Sequence, residues 1–430
     1  MADSGVSIED FYAVMPMHAY MFAPTREMWP AASVNARVPA MAVPSGKTIP
    51  ASVWLDRNRP VEQVTWTPGL PLIIHDRLVA DGGWIDRPEV RCLNLYRPPI
   101  LELGDATKSQ PWRDHVTRVF GEDAGHIISW LAHRVQRPQE KINHALVLGG
   151  AMGIGKDTLL AAIRDAVGPW NFKEITPTGV MGRFNGYLKS VILRINEARD
   201  LGEFDRFKFF DHSKNFLAAP PETLLIDEKH LREYSIPNCT GVIITTNHKA
   251  DGIYLPADDR RHYVAWSDLK KEHFPDDYWK GLYKWYANGG ARHVAAYLAD
   301  LDLSEFNAKS PPEKTAAFWA IVDASQAPED GELADVLDKM KNPAATTLVR
   351  IRNAATGDFS EWVADRKNRR AIPHRLERCG YVPVRNPDSP SDGLWKINDT
   401  RQVVYARDDL PERERLREAR QLAGPASSSV

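Results

Sequence analysis

A glycine-rich segment between an apolar run and a helical pattern has the spacing of a phosphate-binding loop. Residues 145–148 predict a buried strand, and the apolar spacing over residues 159–163 predicts a helix. Between them, Gly150 and Gly155 allow backbone N–H groups to converge on phosphate oxygens, and Lys156 would bind the β and γ phosphates. The residues predicted to contact the bound nucleotide are Gly150, Ala151, Met152, Gly153, Ile154, Gly155, Lys156, Asp157 and Thr158. The alternative is an unrelated glycine-rich turn.

The residue after the lysine departs from the usual pattern, in which a Ser or Thr hydroxyl binds Mg²⁺. Asp157 occupies this position, and Thr158 follows it. One step along a helix turns a side chain by about 100°. Either Asp157 contacts the metal, directly or through water, or Thr158 does so with a shifted backbone. The segment 46–48 reads Gly-Lys-Thr, but it lacks the first glycine and lies between prolines, so a loop is expected there.

A second apolar run, residues 191–195, ends in Asn196 and Glu197. In ATPases with a phosphate-binding loop, an acidic pair at such a strand end holds Mg²⁺ and orients the attacking water. Glu197 is therefore the predicted general base, and Asn196 is a predicted neutral ligand near the metal. The alternative is a strand that ends in a solvated loop.

Three further polar features follow. A third buried run, residues 241–246, ends in Asn247, which could sense the γ phosphate and align the lytic water. Arg260 and Arg261 could reach the site of a neighbouring subunit, where a guanidinium stabilises charge on the transferring phosphoryl group. Lys229 could face nucleic acid or a neighbouring phosphate. The alternatives are a turn-capping Asn247 and a solvated cluster of ion pairs around the two arginines.

The segment 366–385 holds seven Lys or Arg residues and one acid. It predicts a helix that ends at Gly380, followed by a hairpin formed by residues 381–384 and 394–397. Helix followed by hairpin is the outline of a winged helix, which would place the helix in a DNA major groove. The predicted DNA-binding residues of this helix are Arg369, Arg370, Arg375 and Arg378. The alternative is an interaction domain with a solvated basic helix.

Composition excludes several classes of protein. The net charge of −2 over 430 residues gives no general attraction for nucleic acid, so any basic face must be local. No apolar run approaches the roughly 20 residues of a membrane span, and no secretory signal is evident. The three cysteines lie far apart, which predicts a reducing cytoplasm, no disulfide framework and no structural zinc.

The chain is long enough for several domains. The predicted fold class is α/β, with an ATPase core that contains the phosphate-binding loop, an irregular or helical N-terminal region and a small C-terminal domain. The predicted boundaries are 1–100 for an N-terminal accessory region, 101–140 for a helical segment, 141–300 for the ATPase domain, 311–407 for the winged-helix-like domain, and 408–430 for a charged helix with a frayed tail.

The order of these motifs resembles that of the superfamily 3 helicases, which have an AAA+-like core. It is similar in particular to the helicase part of phage and plasmid primase–helicase proteins. The segments 94–99, 130–133 and 184–185, with the sequences Asn-Leu-Tyr-Arg-Pro-Pro, Trp-Leu-Ala-His and Phe-Asn, add to this resemblance, which spans roughly residues 10–290.

The resemblance implies an ATP-driven, Mg²⁺-dependent DNA helicase of phage or prophage replication, assembled as a ring that is expected to be a homo-hexamer. Its partners would be single-stranded and duplex DNA, with primer synthesis supplied by a separate primase or polymerase. Two alternatives remain open. One is a DNA-binding replication initiator or loader that uses nucleotide for assembly, and the other is a kinase of a small substrate. The basic C-terminal segment and the paired arginines argue against the kinase.

Overall fold

The computed structural model describes residues 5–80, 82–196, 202–229, 231–249, 252–324, 328–365, 368, 372–389 and 391–424. The chain divides into two compact units, Met1–Ile321 and Val322–Val430. Both contain helices and strands. No helix in the described ranges has the length and apolar character needed to cross a membrane.

The first part of the larger unit is built from short strands and helices. In chain order these are β1 (Phe11–Val14), β2 (Ala19–Phe22), β3 (Glu27–Trp29), α1 (Ala31–Arg37), β4 (Met41–Ala42), β5 (Thr48–Ile49), α2 (Ala51–Asn58), β6 (Pro60–Val61), β7 (Gln63–Thr65), β8 (Ile73–Ala80) and β9 (Gly83–Asn94). They form sheets of order β3-β2-β1-β6 and β7-β9-β8, and a β4–β5 hairpin whose turn contains Gly46 and Lys47. This region is more regular than its many prolines indicated. The segment 46–48 lies in and beside the turn of this hairpin, close to the expected loop.

Two helices, α3 (Gln110–Phe120) and α4 (Ala124–Gln136), follow. The apolar pattern indicated one helical stretch, but the chain turns at Gly121, whose φ of 53° suits glycine. Trp112 and Trp130 anchor the pair in the core, each fully buried. The indole of Trp112 donates to the carbonyl of Leu159 at 3.1 Å, which fixes α3 against the helix after the glycine loop.

A five-stranded parallel sheet forms the centre of this unit. The strands of this sheet and the elements that connect them are, in chain order, β10 (Ala145–Gly150), α5 (Lys156–Val167), β11 (Phe172–Ile175), α6 (Pro177–Val180), β12 (Ile192–Ile195), α7 (Gly202–Leu217), β13 (Thr223–Ile226), β14 (Tyr234–Pro237), β15 (Gly241–Thr246) and β16 (His262–Ser267). The strand order is β11-β12-β15-β10-β16, and β13 and β14 form a separate antiparallel hairpin. The apolar runs at 145–148, 191–195 and 241–246 thus become neighbouring buried strands, as their lack of alternation indicated.

Three helices complete the unit: α8 (Asp276–Ala287), α9 (Gly290–Asp300) and α10 (Ala316–Ala324). Helix α8 places aromatic side chains next to the glycine loop. Helix α10 contains the boundary between the two units, which therefore lies about ten residues after residue 311, the predicted start of the C-terminal domain.

The smaller unit holds α11 (Pro328–Lys339), β17 (Ala345–Thr346), α12 (Leu348–Ala354), α13 (Asp358–Ala364), α14 (Ile372–Arg378), β18 (Tyr381–Val384), β19 (Trp395–Ile397), β20 (Thr400–Gln402), β21 (Val404–Arg407) and α15 (Glu412–Ala423). Its sheet has the order β17-β21-β18. The predicted pairing of residues 381–384 with 394–397 is wrong, because β18 pairs with β21 and β19 pairs with β20. The charged helix α15 packs into this unit through buried Ala419, so it is part of the domain.

Candidate functional site

Polar residues meet where the carboxyl ends of three parallel strands lie side by side. The glycine loop follows β10, Asn196 follows β12, and Asn247 follows β15, which lies between the other two. Carboxyl ends of parallel strands form the usual ligand crevice of open α/β sheets. The chain order β10, β12, β15 differs from the spatial order, and this difference brings Asn247 next to the glycine loop.

The backbone of the glycine loop depends on residues without a side chain. Gly150 has φ 138° and Gly155 has φ 94°, both in the region that L side chains avoid. A Cβ at Gly155 would lie 2.5 Å from the ring of His115 and 2.7 Å from the ring of Trp279. The loop is therefore held between β10 and two aromatic side chains, and α5 begins at its end with its positive dipole directed at the cleft.

Lys156 is buried at the floor of this cleft. Its Nζ donates to the carbonyl oxygens of Gly150 at 2.6 Å and Ala151 at 3.0 Å, and to Oδ1 of Asn247 at 2.8 Å. The pKa of Lys156 is lowered to about 8, mainly by burial; the negative charge of Asp157 opposes this shift, and the positive charge of Arg194 contributes to it. The structure thus brings together two of the predicted site residues, Lys156 and Asn247, and holds the lysine by groups that an anion could replace.

Arg194 on β12 lines the candidate site and was missed by sequence reasoning. It is buried, and it forms an ion pair with Asp157 and another, at 2.9 Å, with Oε1 of Glu174. It also donates to Oδ1 of Asn196 at 3.1 Å and to the hydroxyl of Thr245 at 3.3 Å. A charged residue inside an otherwise apolar run was the available signal, because such a residue is almost always paired when it is buried.

Arg194 changes the expectation for the metal ligands. Asp157 and Asn196 supply oxygen atoms of the kind that Mg²⁺ prefers, but both accept from the Arg194 guanidinium. The hydroxyl of Thr158 lies 3.4 Å from that of Tyr283. In the part of the chain that the structure describes, no three His, Cys, Asp or Glu side chains are grouped to hold a metal ion. In this arrangement the Asp157 and Asn196 oxygens are therefore engaged by Arg194, and the assignment of Mg²⁺ ligands stays a prediction. Glu197 lies outside the described residues.

An aromatic surface from α8 borders the cleft, whose volume is about 530 Å³. Trp279 and Tyr283 lie one turn apart on this helix, with ring centroids 5.9 Å apart and planes at 24°. Both rings line the cleft, together with Met152 and Lys271. A cleft of this size suits a small-molecule ligand.

Arg260 and Arg261 lie at the amino ends of the parallel strands, whereas the glycine loop lies at their carboxyl ends. They precede β16, and the parallel register pairs His262 with Ala145 and Ser267 with Gly150. Five residues along a strand span roughly 16 Å, which is the distance between the amino and carboxyl ends of these strands. Arg260 is exposed, Arg261 is half-buried, and the backbone N–H of Arg261 donates to Asp259 at 2.9 Å. The structure therefore does not bring these arginines to the glycine loop of their own chain.

Lys229 is exposed in the turn between β13 and β14. The neighbouring Glu228 fixes the base of this turn, since it accepts from Lys189 at 2.6 Å and from the hydroxyl of Tyr234 at 2.7 Å. The exposed side chains of Phe184 and Leu225 belong to the same region, because Asn185 donates to the carbonyl of Leu225 at 2.8 Å.

The structure contradicts the predicted DNA contact of Arg375. This residue is 2% exposed and pairs with Asp330 of α11 at 2.5 Å, and Arg378 pairs with the same carboxylate at 2.6 Å. The reason is periodicity, because residues 375 and 378 lie on the face of α14 that packs against α11. Both arginines therefore bind the two helices together. Arg369 and Arg370 lie outside the described residues.

Comparison with known proteins gives one family match. Residues 148–261 match a family described as a family of unknown function, DUF5906. The match begins within β10 and ends at Arg261, so it includes the glycine loop, Lys229 and Asn247.

The chain is similar to a phage replication protein. It is 25% identical over 237 residues to the DNA primase-polymerase of Nitratiruptor phage NrS-1, a match that covers 53% of this chain and 32% of that protein. The chain thus spans about a third of the length of this relative.

The apo structure of the NrS-1 C-terminal region, residues 305–718, matches with a TM-score of 0.56 and 16% identity, covering 92% of this chain and 95% of that chain. Identity this low shows a shared fold alone. A JCV helicase structure matches at TM-score 0.28 over 55% of this chain, which is too distant to support an argument.

Proposed function

We propose that this protein is an ATP-dependent DNA helicase or translocase of phage or prophage DNA replication. The observation that carries the proposal is the contact of Lys156 with Asn247 beside a glycine loop, at the carboxyl edge of a parallel sheet. The similarity to a phage DNA primase-polymerase supports a role in replication, and the motif order supports a helicase of superfamily 3.

The chain's own groups account for binding and for activation of water. Lys156 leaves its carbonyl partners for the β and γ phosphates, and the loop N–H groups bind the remaining oxygens. Asn247 then orients the attacking water next to the γ phosphate. Glu197 directly follows Asn196 and acts as the general base. Mg²⁺, carried by the phosphates of ATP, supplies charge neutralisation when bound.

Hydrolysis takes place at the junction between two copies of the chain. Arg260 and Arg261 are remote from their own glycine loop, at the amino ends of the parallel strands. Arg260 is exposed and Arg261 is half-buried, and this remote position leaves them to reach a neighbour's phosphates. A closed ring, expected to be a hexamer, gives every copy such a neighbour.

The β13–β14 turn binds single-stranded DNA. Lys229 provides a positive charge there, and the exposed Phe184 provides a face for a base, with the Arg183 guanidinium 5.5 Å above its ring. Aromatic faces with nearby cations are the usual elements of sequence-tolerant binding to single strands. The smaller unit, with α14 followed by β18 and the β19–β20 hairpin, has a winged-helix-like order of elements and binds duplex DNA, through Arg369 and Arg370 rather than Arg375.

One observation favours a second candidate function. The Arg194–Asp157 ion pair occupies the place where a metal ligand is expected, so nucleotide binding without turnover is a coherent alternative. In that case the protein is a replication initiator or loader that uses nucleotide for assembly.

Measurement of ATP turnover and strand displacement, with and without single-stranded DNA, separates the two functions. A helicase hydrolyses ATP, is stimulated by single strands and separates a tailed duplex. An initiator binds ATP and DNA without turnover. Failure of the purified chain to bind ATP at all would refute both.

A further inference from the structure

Helix α8 presents an aromatic surface to the cleft. The proposed binding of phosphates by the glycine loop does not account for this surface. Trp279 packs against Gly155, so its ring is fixed to the loop. Tyr283 stacks on Trp279, is 55% exposed and lines the cleft. Tyr283 and the exposed Met152 line the same cleft, and exposed apolar side chains that are grouped at a groove mark ligand-binding sites.

The position of this surface suits the base of a bound nucleotide. Lys156 and Asn247 lie at one part of the cleft, and the Tyr283 hydroxyl lies 3.4 Å from that of Thr158, two residues further along α5. The hydroxyl of Tyr286 donates to the carbonyl of Thr158 at 2.8 Å, which holds α8 against α5. The helix is thus fixed to the same element whose N-terminus faces the phosphates.

A further side chain that lines the cleft can adapt to a ring. Met152 is 79% exposed at the tip of the glycine loop and lines the same cleft. An unbranched thioether adapts to irregular surfaces and makes favourable contacts with aromatic rings.

We propose that Trp279 and Tyr283 form a base-stacking subsite that gives the cleft a preference for purine nucleoside triphosphates. This inference rests on the proposed function, because it assigns the base to the cleft whose glycine loop binds the phosphates. A purine offers a larger π surface to the Tyr283 ring than a pyrimidine does, and stacking requires no base-specific hydrogen bond. ATP and GTP are therefore bound more tightly than CTP and UTP.

The test compares nucleotides with inorganic tripolyphosphate, which has the phosphates but no base. The affinity of the full chain for ATP, GTP, CTP, UTP and tripolyphosphate is measured for the wild type and for Tyr283→Ala, Tyr283→Phe, Lys156→Ala and Lys280→Ala. Tyr283→Phe keeps the ring. Lys280→Ala is a matched control on the exposed side of α8, and circular dichroism confirms that each variant is folded.

The expected result is a roughly 5- to 100-fold loss of ATP affinity in Tyr283→Ala, the range typical of a lost base–aromatic stack. Tripolyphosphate affinity stays at the wild-type value in this variant, Tyr283→Phe binds ATP normally, and the difference between purines and pyrimidines disappears in Tyr283→Ala. Lys156→Ala loses tripolyphosphate and ATP alike.

Two outcomes would overturn the proposal. If Tyr283→Ala binds ATP like the wild type, or loses tripolyphosphate to the same extent as ATP, the aromatic surface is not a base subsite, although the cleft remains a nucleotide site. If the wild type binds neither ATP nor tripolyphosphate, both this inference and the proposed function are wrong.

Discussion

Arg194 places a guanidinium between Asp157 and Glu174, at the carboxyl edge of the sheet. Asp157 stands where a Ser or Thr is usual, and Arg194 is a charged residue within an apolar strand. The ion pair between them accounts for both departures. Burial of a charge is tolerated because carboxylates and the Asn196 and Thr245 side chains surround the guanidinium.

This pairing predicts unequal effects of two substitutions. Arg194→Met removes a buried cation with several partners and should lower the free energy of unfolding by about 1–3 kcal/mol, discounted because the two carboxylates are partly exposed. Asp157→Ser leaves Arg194 its other partners and should cost less than about 1 kcal/mol, with ATP turnover retained. Urea unfolding and ATPase assays of both variants test this; equal losses of stability would contradict the proposed arrangement.

Lys156→Ala should abolish ATP hydrolysis and strand separation. The buried ammonium lies directly behind the glycine loop, where its partners are two carbonyls and Asn247, so its removal takes away the cation that the loop would hold against the phosphates. Lys47→Ala is the matched control, because Lys47 also follows a glycine, in the segment Gly46-Lys47-Thr48, but lies in the turn of the β4–β5 hairpin. Wild-type turnover by a folded Lys156→Ala protein would refute the phosphate-binding role of the loop.

Glu197→Gln should bind ATP and hydrolyse it about 10²–10⁴-fold more slowly, the usual effect of losing a general base. Glu197 is assigned as the general base because it directly follows Asn196 at the end of β12. Binding is measured by equilibrium titration and turnover by phosphate release. Normal turnover would move the role of the base to another group, and Asp157 would be examined next.

At the scale of elements, α14 shows how a basic helix can be structural. Its Arg375 and Arg378 share the Asp330 carboxylate of α11, and Arg375 lies 4.9 Å from the Trp362 ring centroid. A count of positive charges along the sequence does not distinguish this arrangement from a DNA-binding helix.

Arg375→Met should therefore destabilise the smaller unit by about 2–4 kcal/mol, because it leaves the buried Asp330 with a single cation. The salt dependence of duplex binding should keep its slope, whereas loss of a phosphate contact would reduce the slope by about one. Arg352→Met, at an exposed position on α12, is the control. A reduced slope with unchanged stability would restore Arg375 as a DNA contact.

At the scale of the whole molecule, the proposed ring requires residues from two copies at each site. Arg260 and Arg261 lie at the edge of the sheet opposite the glycine loop, so each copy would complete the site of its neighbour. A monomer would then bind ATP with little turnover.

Mixing experiments test this arrangement. An Arg260→Ala, Arg261→Ala double variant and Lys156→Ala are each expected to be inactive, and a mixture should regain partial ATPase activity, because some junctions combine an intact loop with intact arginines. Co-assembly is verified by pull-down of differently tagged copies. Co-assembly without any recovery would mean that the arginines serve their own subunit.

The sequence by itself determined the features that depend on neighbours along the chain. Three apolar runs predicted the buried strands β10, β12 and β15, and the spacing of Gly150, Gly155 and Lys156 predicted a loop and a helix directly after β10. Hydrophobic periodicity and glycine conformation act locally, so they can be read without knowing what packs where.

Only the tertiary structure decided which distant side chains meet. Arg194 of β12 meets Asp157 of α5, Arg375 of α14 meets Asp330 of α11, and Tyr283 of α8 meets Thr158 of α5. The same applies to β18, whose partner is β21 and not the nearer β19. Such pairings follow from the burial of whole elements against each other, and the charge or polarity of a residue shows that it needs a partner without showing which one.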